Sequence, residues 1–540
     1  MCQSTYRDNS SMYLRSLKRF SVSLPAALLC IVLLAALPLR PAMSRERPEV
    51  KPDLPATSND FRFVRTQNSP LLAADPTDSR FVVLAHRLDA PDFSCALQIS
   101  GDGGRTFVEA TPMPELPKNA EKCYAPEVAF DQEGRLYYLF IGLRGAGNSP
   151  MGVFLTTSSD RAKTFTKPVR VLGAGNYQVR MAMDPTAGDR GRLHLVWLHT
   201  TEDAPTGGLP LPPNPIMTKH SDDGGQTFSE PLQISDPQRR LSVAPSVALA
   251  PDGTVHVVYY DFVDDMRDYQ GLEGPTWPGK WALIVTSSTD AGENFSRGVV
   301  VDDGVVPPER VLLIFTMPPP ALAAGSDGSL YVAWHDGRNE DWDVFLSGSS
   351  DGGRSWNNPM RLNDDDAGNG VHQYLPRVAV APGGRVDVIF YDRRDDPDNV
   401  DNDVYYTFST NGGESFSENL RLTTESSDSR SGQHYLVPSA QDRADFGSRI
   451  ALLAREDRAI AAWTDTRNAL LAPYQDIFST QIVFDRDATA TGSSTTPIIL
   501  PIMVGVLLLA LLGFVGIRSM RRRSSSGASE HDPAGVTEEL

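Results

Sequence analysis

One short pattern recurs through the chain and limits the architectures open to it. It has the form Ser-x-Asp-x-Gly-x-Ser/Thr-aromatic and occurs at Ser100–Phe107, Ser158–Phe165, Ser221–Phe228, Ser288–Phe295, Ser349–Trp356 and Ser409–Phe416. The starts lie 58, 63, 67, 61 and 60 residues apart, a spacing too even for chance. The pattern has the chemistry of a hairpin turn. The Asp carboxylate accepts backbone N–H groups, the Gly supplies positive φ, and the aromatic opens the next strand. Ala162 in place of Gly and Asn411 in place of Asp fit a structural task, because a backbone bend and an acceptor oxygen are kept. A chain of 540 residues built on such a period is one repeat array rather than three or four unrelated domains.

Charge is unevenly spread. The formal net charge is −18. Residues 1–44 carry Arg7, Arg15, Lys18, Arg19 and Arg40 against Asp8, and the tail 518–540 balances four Arg with four acids, so 45–517 stands near −22. A body that acidic repels phosphate backbones, which excludes nucleic acid as a partner. Two apolar runs flank it. Pro497–Ile517 has 21 residues without a charge and is followed by Arg518, Arg521, Arg522 and Arg523. It is expected to be a transmembrane helix with the tail in the cytoplasm. Ser21–Leu39, after a basic lead, reads as a signal peptide ending near residue 44 or as an uncleaved signal anchor. Either way the body ends up outside, and the expected location is the cell membrane, single-pass, with the body extracellular and the C-terminal tail cytoplasmic. Cys95 and Cys123 are the only cysteines of that body, and a lone pair in an exported chain is a disulfide candidate, two separate buried thiols being the alternative.

The pattern resembles the Asp-box, or BNR repeat, of the sialidase superfamily, and the repeats cover about Phe61 to Phe484. The resemblance implies an all-β propeller in which each box joins the third and fourth strands of a blade, on the face away from the active site. Each box is preceded by two strand signals, a short apolar run and then an alternating one, such as Ser246–Pro251 followed by Thr254–Asp261. A seventh copy without a box (Arg449–Ala454, Ala459–Asp465, Gln475–Phe484) stops after three strands, and Asp60–Thr66 is a candidate for its missing outer strand. Seven four-stranded blades are expected, six being the alternative. The segments are then 1–44 signal peptide or anchor, 45–59 linker, 60–485 propeller, 486–496 stalk, 497–517 transmembrane helix and 518–540 cytoplasmic tail.

With boxes below, the upper face is built by residues opening each first strand: Leu71, Glu127, Arg180, Ser246, Ala321, Arg377 and Arg449. In sialidases three arginines clamp the substrate carboxylate, a tyrosine helped by a glutamate is the nucleophile, and an aspartate is the acid/base, so the resemblance implies a clamp of Arg180, Arg377 and Arg449 with Tyr374 and Glu127 as catalytic candidates. Tyr124 and Tyr177, at the matching offsets of blades 2 and 3, are candidates for a sugar-stacking rim or for rim packing. The family's first-blade arginine is absent, since the chain reads Asn68-Ser69-Pro70 there. Separate ion pairs at strand ends are therefore the rival reading of the three arginines.

Asp336-x-Arg338, Asp392-x-Arg394 and Asp465-x-Arg467 recur in blades 5, 6 and 7, which suits pairs that pin loops. The loop Asp395–Asp403 holds five carboxylates in nine residues and is a solvated acidic turn or a Ca²⁺ loop. The histidines have no zinc-type spacing, and no cofactor is required. The function expected is glycan recognition at the cell surface, with hydrolysis of the exo-α-sialidase type if the protein is an enzyme. The alternatives are a non-catalytic glycan- or protein-binding propeller and an envelope assembly scaffold.

Overall fold

In the computed structural model the chain forms seven antiparallel sheets arranged as the blades of a ring. The structure describes residues 47–57, 65–111, 113–187, 191–200, 212–266, 277–307, 318–432, 446–469 and 474–484. The segments expected as signal peptide or anchor, stalk, transmembrane helix and cytoplasmic tail lie outside them. No helix of the described residues is long and apolar enough to cross a membrane.

Blade 1 is built from Gln67–Ala74, Val82–Leu88, Ser94–Ser100 and Val108–Glu109, and blades 2 to 6 repeat this order. Alternating strands bury both faces because each blade packs against two others. Six buried apolar clusters follow one another around the ring. One joins Val83 and Leu97 of blade 1 to Leu136 and Tyr138 of blade 2. The last brings Ile460 and Ala462 of blade 7 against Leu72 and Leu84 of blade 1, so the ring closes. Trp197, Trp334 and Trp463 sit near the ends of three second strands and are almost wholly buried.

Blade 7 contributes Ala451–Ala454, Arg458–Asp465 and Asp476–Val483, and its outer edge comes from the N-terminal side. Glu49–Val50 pairs antiparallel with Ile482 and Val483, and Leu54–Pro55 pairs with Phe478 and Ser479. The closing strands thus lie within the stretch expected as a linker, upstream of Asp60–Thr66. Thr66 itself makes an isolated bridge to Gln475, and Asp60–Val64 lie outside the described residues. Two-residue pairings carry no periodicity for a sequence to display.

The boxes do what their composition demands. Asp102 accepts the Arg105 and Thr106 N–H groups, both at 3.0 Å, and the Thr106 hydroxyl at 2.6 Å. Ser100 Oγ accepts the Gly104 N–H at 2.9 Å. Hydrogen bonds led by Thr164 hold the Asp160 carboxyl at about 2, and those led by Asn294 do the same for Asp290. The second Gly of the box touches the blade before it: a Cβ on Gly225 would lie 2.3 Å from Leu155 Cδ2, and φ there is +85°.

Candidate functional site

The first strands line the centre of the ring, and five of them break register in the same place. The breaks fall between Asn68 and Leu71, Tyr124 and Glu127, Tyr177 and Arg180, Val243 and Ser246, and Tyr374 and Arg377. Inside each bulge one residue is left-handed: Ser69, Ala125, Gln178, Ala244 and Leu375, with φ between 50° and 56°. Gly447 (φ 86°) does the same two residues before Arg449. A bulge re-aims the side chain that follows it. Glu127, Arg180, Arg377 and Arg449 each stand two residues beyond such a turn, so one backbone device presents all four at the end of the ring opposite the boxes, here called the mouth.

The four side chains form one electrostatic group. Arg180 Nη1 lies 3.4 Å from Glu127 Oε1, and Arg449 Nη1 pairs with the same oxygen. Arg449 also donates through Nη2 to Pro126 O (2.7 Å) and through Nε to Ser69 O (3.3 Å), which joins blade 7 to blades 1 and 2. Arg377, partly buried, makes no hydrogen bond or ion pair among the described residues, yet it is close enough to Arg449 for their charges to repel. Burial pulls the Arg180 guanidinium down to about 10, with Glu127 opposing and Arg449 and Arg377 adding to the shift. Burial and then Arg449 pull Arg377 to about 10. Three guanidiniums around one carboxylate leave two uncompensated positive charges. Arg180 and Arg449 are therefore not separate pairs, since they share Glu127.

The tyrosines are interior groups. Tyr124 is 1 % exposed and its hydroxyl accepts Arg87 Nη1 at 2.6 Å, while Tyr177 is 2 % exposed. Tyr374 donates its hydroxyl to Asn402 Oδ1 (2.7 Å) and stacks on Tyr391 at 5.3 Å, with Trp342 edge-on at 5.9 Å. Its polar contacts are thus with blade 6 rather than with the arginine group.

The sequence reading passed over a second buried network in blade 1. Arg87 pairs with Asp89 (Nε–Oδ1 2.6 Å), and Asn68 Nδ2 donates to Asp89 at 2.8 Å. Asn68 is thus engaged with an acid. The missed signal was Arg87-x-Asp89, the inverse of the Asp-x-Arg order that ends the second strands of blades 5 to 7. Those three pairs hold loops. Arg394 meets Asp392 at 2.7 Å and Arg467 meets Asp465 at 2.7 Å, while Arg338 pairs with Asp336. Each guanidinium also lies over a third-strand aromatic ring, Phe345 at 4.3 Å, Tyr405 at 4.5 Å and Phe478 at 4.0 Å.

In the Asp395–Asp403 loop Asp396 accepts the backbone N–H groups of Asp398, Val400 and Asp401 at 2.7–3.0 Å. Asp395 takes the Tyr405 hydroxyl (2.7 Å), and Asp403 takes Arg421 (2.7 Å). Among the described residues no cluster of three or more His, Cys, Asp or Glu is arranged to hold a metal ion. Cys95 and Cys123 are joined by a disulfide with a Cα–Cα distance of 5.5 Å.

No family model and no curated protein matches the sequence. Solved structures do. The chain is similar to the α-L-arabinanase of Penicillium chrysogenum complexed with arabinobiose, at 15 % identity over 68 % of this chain and 96 % of that one (TM-score 0.41). It is similar to the Hadza microbial sialidase Hz136 at 14 % identity over 76 % and 74 % (TM-score 0.41), and to the endosialidase of phage phi92 at 11 % over 80 % and 69 % (TM-score 0.44).

Proposed function

We propose that the protein is a glycan-recognition propeller whose mouth takes the carboxylate of an acidic sugar. One observation carries the reading: three guanidiniums gather around a single carboxylate, and the unpaired Arg377 stands ready for a second. A positive mouth in a body near −22 focuses attraction on one place and turns anions away elsewhere. Guanidinium–carboxylate pairing is charge-assisted and two-pronged, which suits a sugar acid better than a neutral sugar. Recognition without turnover is favoured, because Glu127 is engaged by two arginines and the Tyr374 hydroxyl by Asn402. The test is calorimetric titration with a sialic acid, with and without Arg377→Ala. A loss of roughly tenfold or more is expected, one decade being about 1.4 kcal/mol. Unchanged affinity overturns the site. Turnover of a fluorogenic sialoside would make the protein a glycosidase instead.

A second reading has its own support. Every donor-bearing nitrogen of Arg449 is engaged across blades 1 and 2, so the group also acts as a bolt across the ring.

The propeller is further proposed to stand outside the cell on its C-terminal span. Glu49 and Val483 are strand partners at the box end of blade 7, opposite the mouth. A bilayer on that side leaves the mouth open to large glycans. Protease applied to intact cells should remove the propeller and spare a tag at Leu540; the reverse pattern would reject this orientation.

A further inference from the structure

The chain holds two Asn-Gly pairs, Asn369–Gly370 and Asn411–Gly412, and both are exposed. In such a pair the backbone nitrogen is little shielded from the side chain before it, because glycine has no Cβ. At Asn411 the box holds the amide: Oδ1 accepts the Ser409 hydroxyl (2.7 Å) and the Ser415 N–H (3.1 Å), and Nδ2 donates to Ser415 Oγ (3.0 Å). Asn369 sits in the loop 362–372, between the outer strand of blade 5 (Met360–Arg361) and the first strand of blade 6 (Gln373–Val380), which carries Arg377. Its amide is held in a comparable way, Oδ1 accepting the Val371 N–H at 2.8 Å and Nδ2 donating to Asp365 Oδ2 at 2.8 Å. An Asx turn of this kind folds the side-chain carbonyl back over the Gly370 peptide.

The two pairs differ at the nitrogen. The Gly370 N–H donates to Asp341 Oδ2 at 2.9 Å, and Asn399 Nδ2 donates to Gly370 O at 3.0 Å, so this peptide is fixed at both ends. Among the described residues no carboxylate takes the Gly412 N–H. Asp341 is 2 % exposed, and its Oδ1 has no hydrogen-bond partner among the described residues. Burial raises its carboxyl, the Gly370 hydrogen bond opposing and Asp343 adding to the shift, which makes it a better proton acceptor than a solvated carboxylate. The Val371 N–H meets the oxygen on which negative charge gathers when Cγ is attacked. From a nitrogen set on a buried carboxylate and a carbonyl set on a backbone N–H, we propose that Asn369–Gly370 is a self-modification site with Asp341 as its general base. Gly370 N attacks Asn369 Cγ while its proton passes to Asp341. The N–Cγ bond forms, the Cγ–Nδ2 bond breaks, and ammonia leaves with that proton. Water then opens the cyclic imide to aspartate or isoaspartate. Either product sets a carboxylate against Asp365 where an amide donor stood, which loosens the loop leading to Arg377.

The test is to age the purified protein at neutral pH, digest it, and follow the gain of one mass unit at each Asn-Gly pair by mass spectrometry, with isoaspartate resolved by chromatography. In the native protein Asn369 should convert roughly tenfold or more faster than Asn411, because a positioned base contributes on the order of 10²–10⁴-fold. In denaturing urea, where Asp341 no longer meets Gly370, the two rates should converge. Asp341→Asn keeps an acceptor for the Gly370 N–H and removes the base. It should slow Asn369 roughly tenfold or more and leave Asn411 unchanged. Conversion of Asn369 no faster than that of Asn411 would overturn the proposal, as would an advantage that persists in urea or a rate that Asp341→Asn fails to lower. Should the variant not fold, the parent's native and urea rates decide alone.

Discussion

The two ends of the ring are cut from the same repeat and have been used in opposite ways. At the box end the same side chain does the same task in every copy: Asp102, Asp160, Asp223, Asp290, Asp351 and Asn411 each accept the N–H of the residue four positions on. At the mouth the backbone device is repeated but the residue it presents changes, from Leu71 to Glu127, Arg180, Ser246, Arg377 and Arg449. Repetition of a side chain marks a requirement of the fold, met once per blade. Variation on a constant bulge marks a place where blades have been individualised, as a binding site needs. The Asp-x-Arg pairs lie at the mouth end yet behave like the boxes, recurring with one geometry, and belong with the fold.

The largest expected effect separates the boxes from the buried histidines. Burial lowers His86, His194, His256 and His335 to about 4, so the unfolded chain binds more protons between about 6.5 and 4. The stability they contribute is present above about 6.5 and is lost as the pH falls toward 4, up to about 3 kcal/mol for each full shift. The box carboxylates Asp160 and Asp290, held at about 2, stay ionised through that window. Urea midpoints should therefore fall steadily from pH 6.5 and the ring should unfold before pH 4. A midpoint flat down to pH 4 would assign acid sensitivity to the boxes instead.

Next in size is Glu127→Ala, which leaves Arg180 and Arg449 buried beside Arg377 with no counter-charge. A cost of about 3–5 kcal/mol in chemical denaturation is expected. A smaller loss would mean that the mouth carries little of the ring's stability. Gly225→Ala tests the box end, where a Cβ would strike Leu155 from a left-handed backbone. About 2–3 kcal/mol should be lost, from overpacking together with the αL conformation. Smallest is the effect of Arg377→Ala on the melting temperature. Removing an unpaired, desolvated cation should leave it unchanged or slightly higher, and a clear drop would reveal a structural partner.

Much of this was legible in the sequence because repeats report themselves. The boxes, the strand pairs and the seventh, boxless copy follow from spacing and alternation, and the alignment of Glu127, Arg180, Arg377 and Arg449 was sound. What could not be read was that they meet. That depends on the bulges, whose left-handed residues are Ala125, Gln178 and Leu375, types that give no warning of positive φ. The closing strands were hidden for a different reason: Glu49–Val50 and Leu54–Pro55 are too short to show a pattern. The tyrosines were legible as aromatic positions, but only packing could tell that Tyr124 serves Arg87 and Tyr374 serves Asn402.

The closure of blade 7 also fixes how the ring bears load. Glu49 faces Val483 across an antiparallel pairing, so the chain enters the first and leaves the second at the same end of the blade. A force drawn through both of them pulls the pairing apart as a zip, from Glu49–Val483 to Val50–Ile482, rather than shearing all its bonds at once. The two inner strands of blade 7, Ala451–Ala454 and Arg458–Asp465, stay outside that pairing, as does the Arg449–Glu127 contact at the far end. Tension applied at Glu49 and Val483 would thus be relieved at the seam before it reached the mouth.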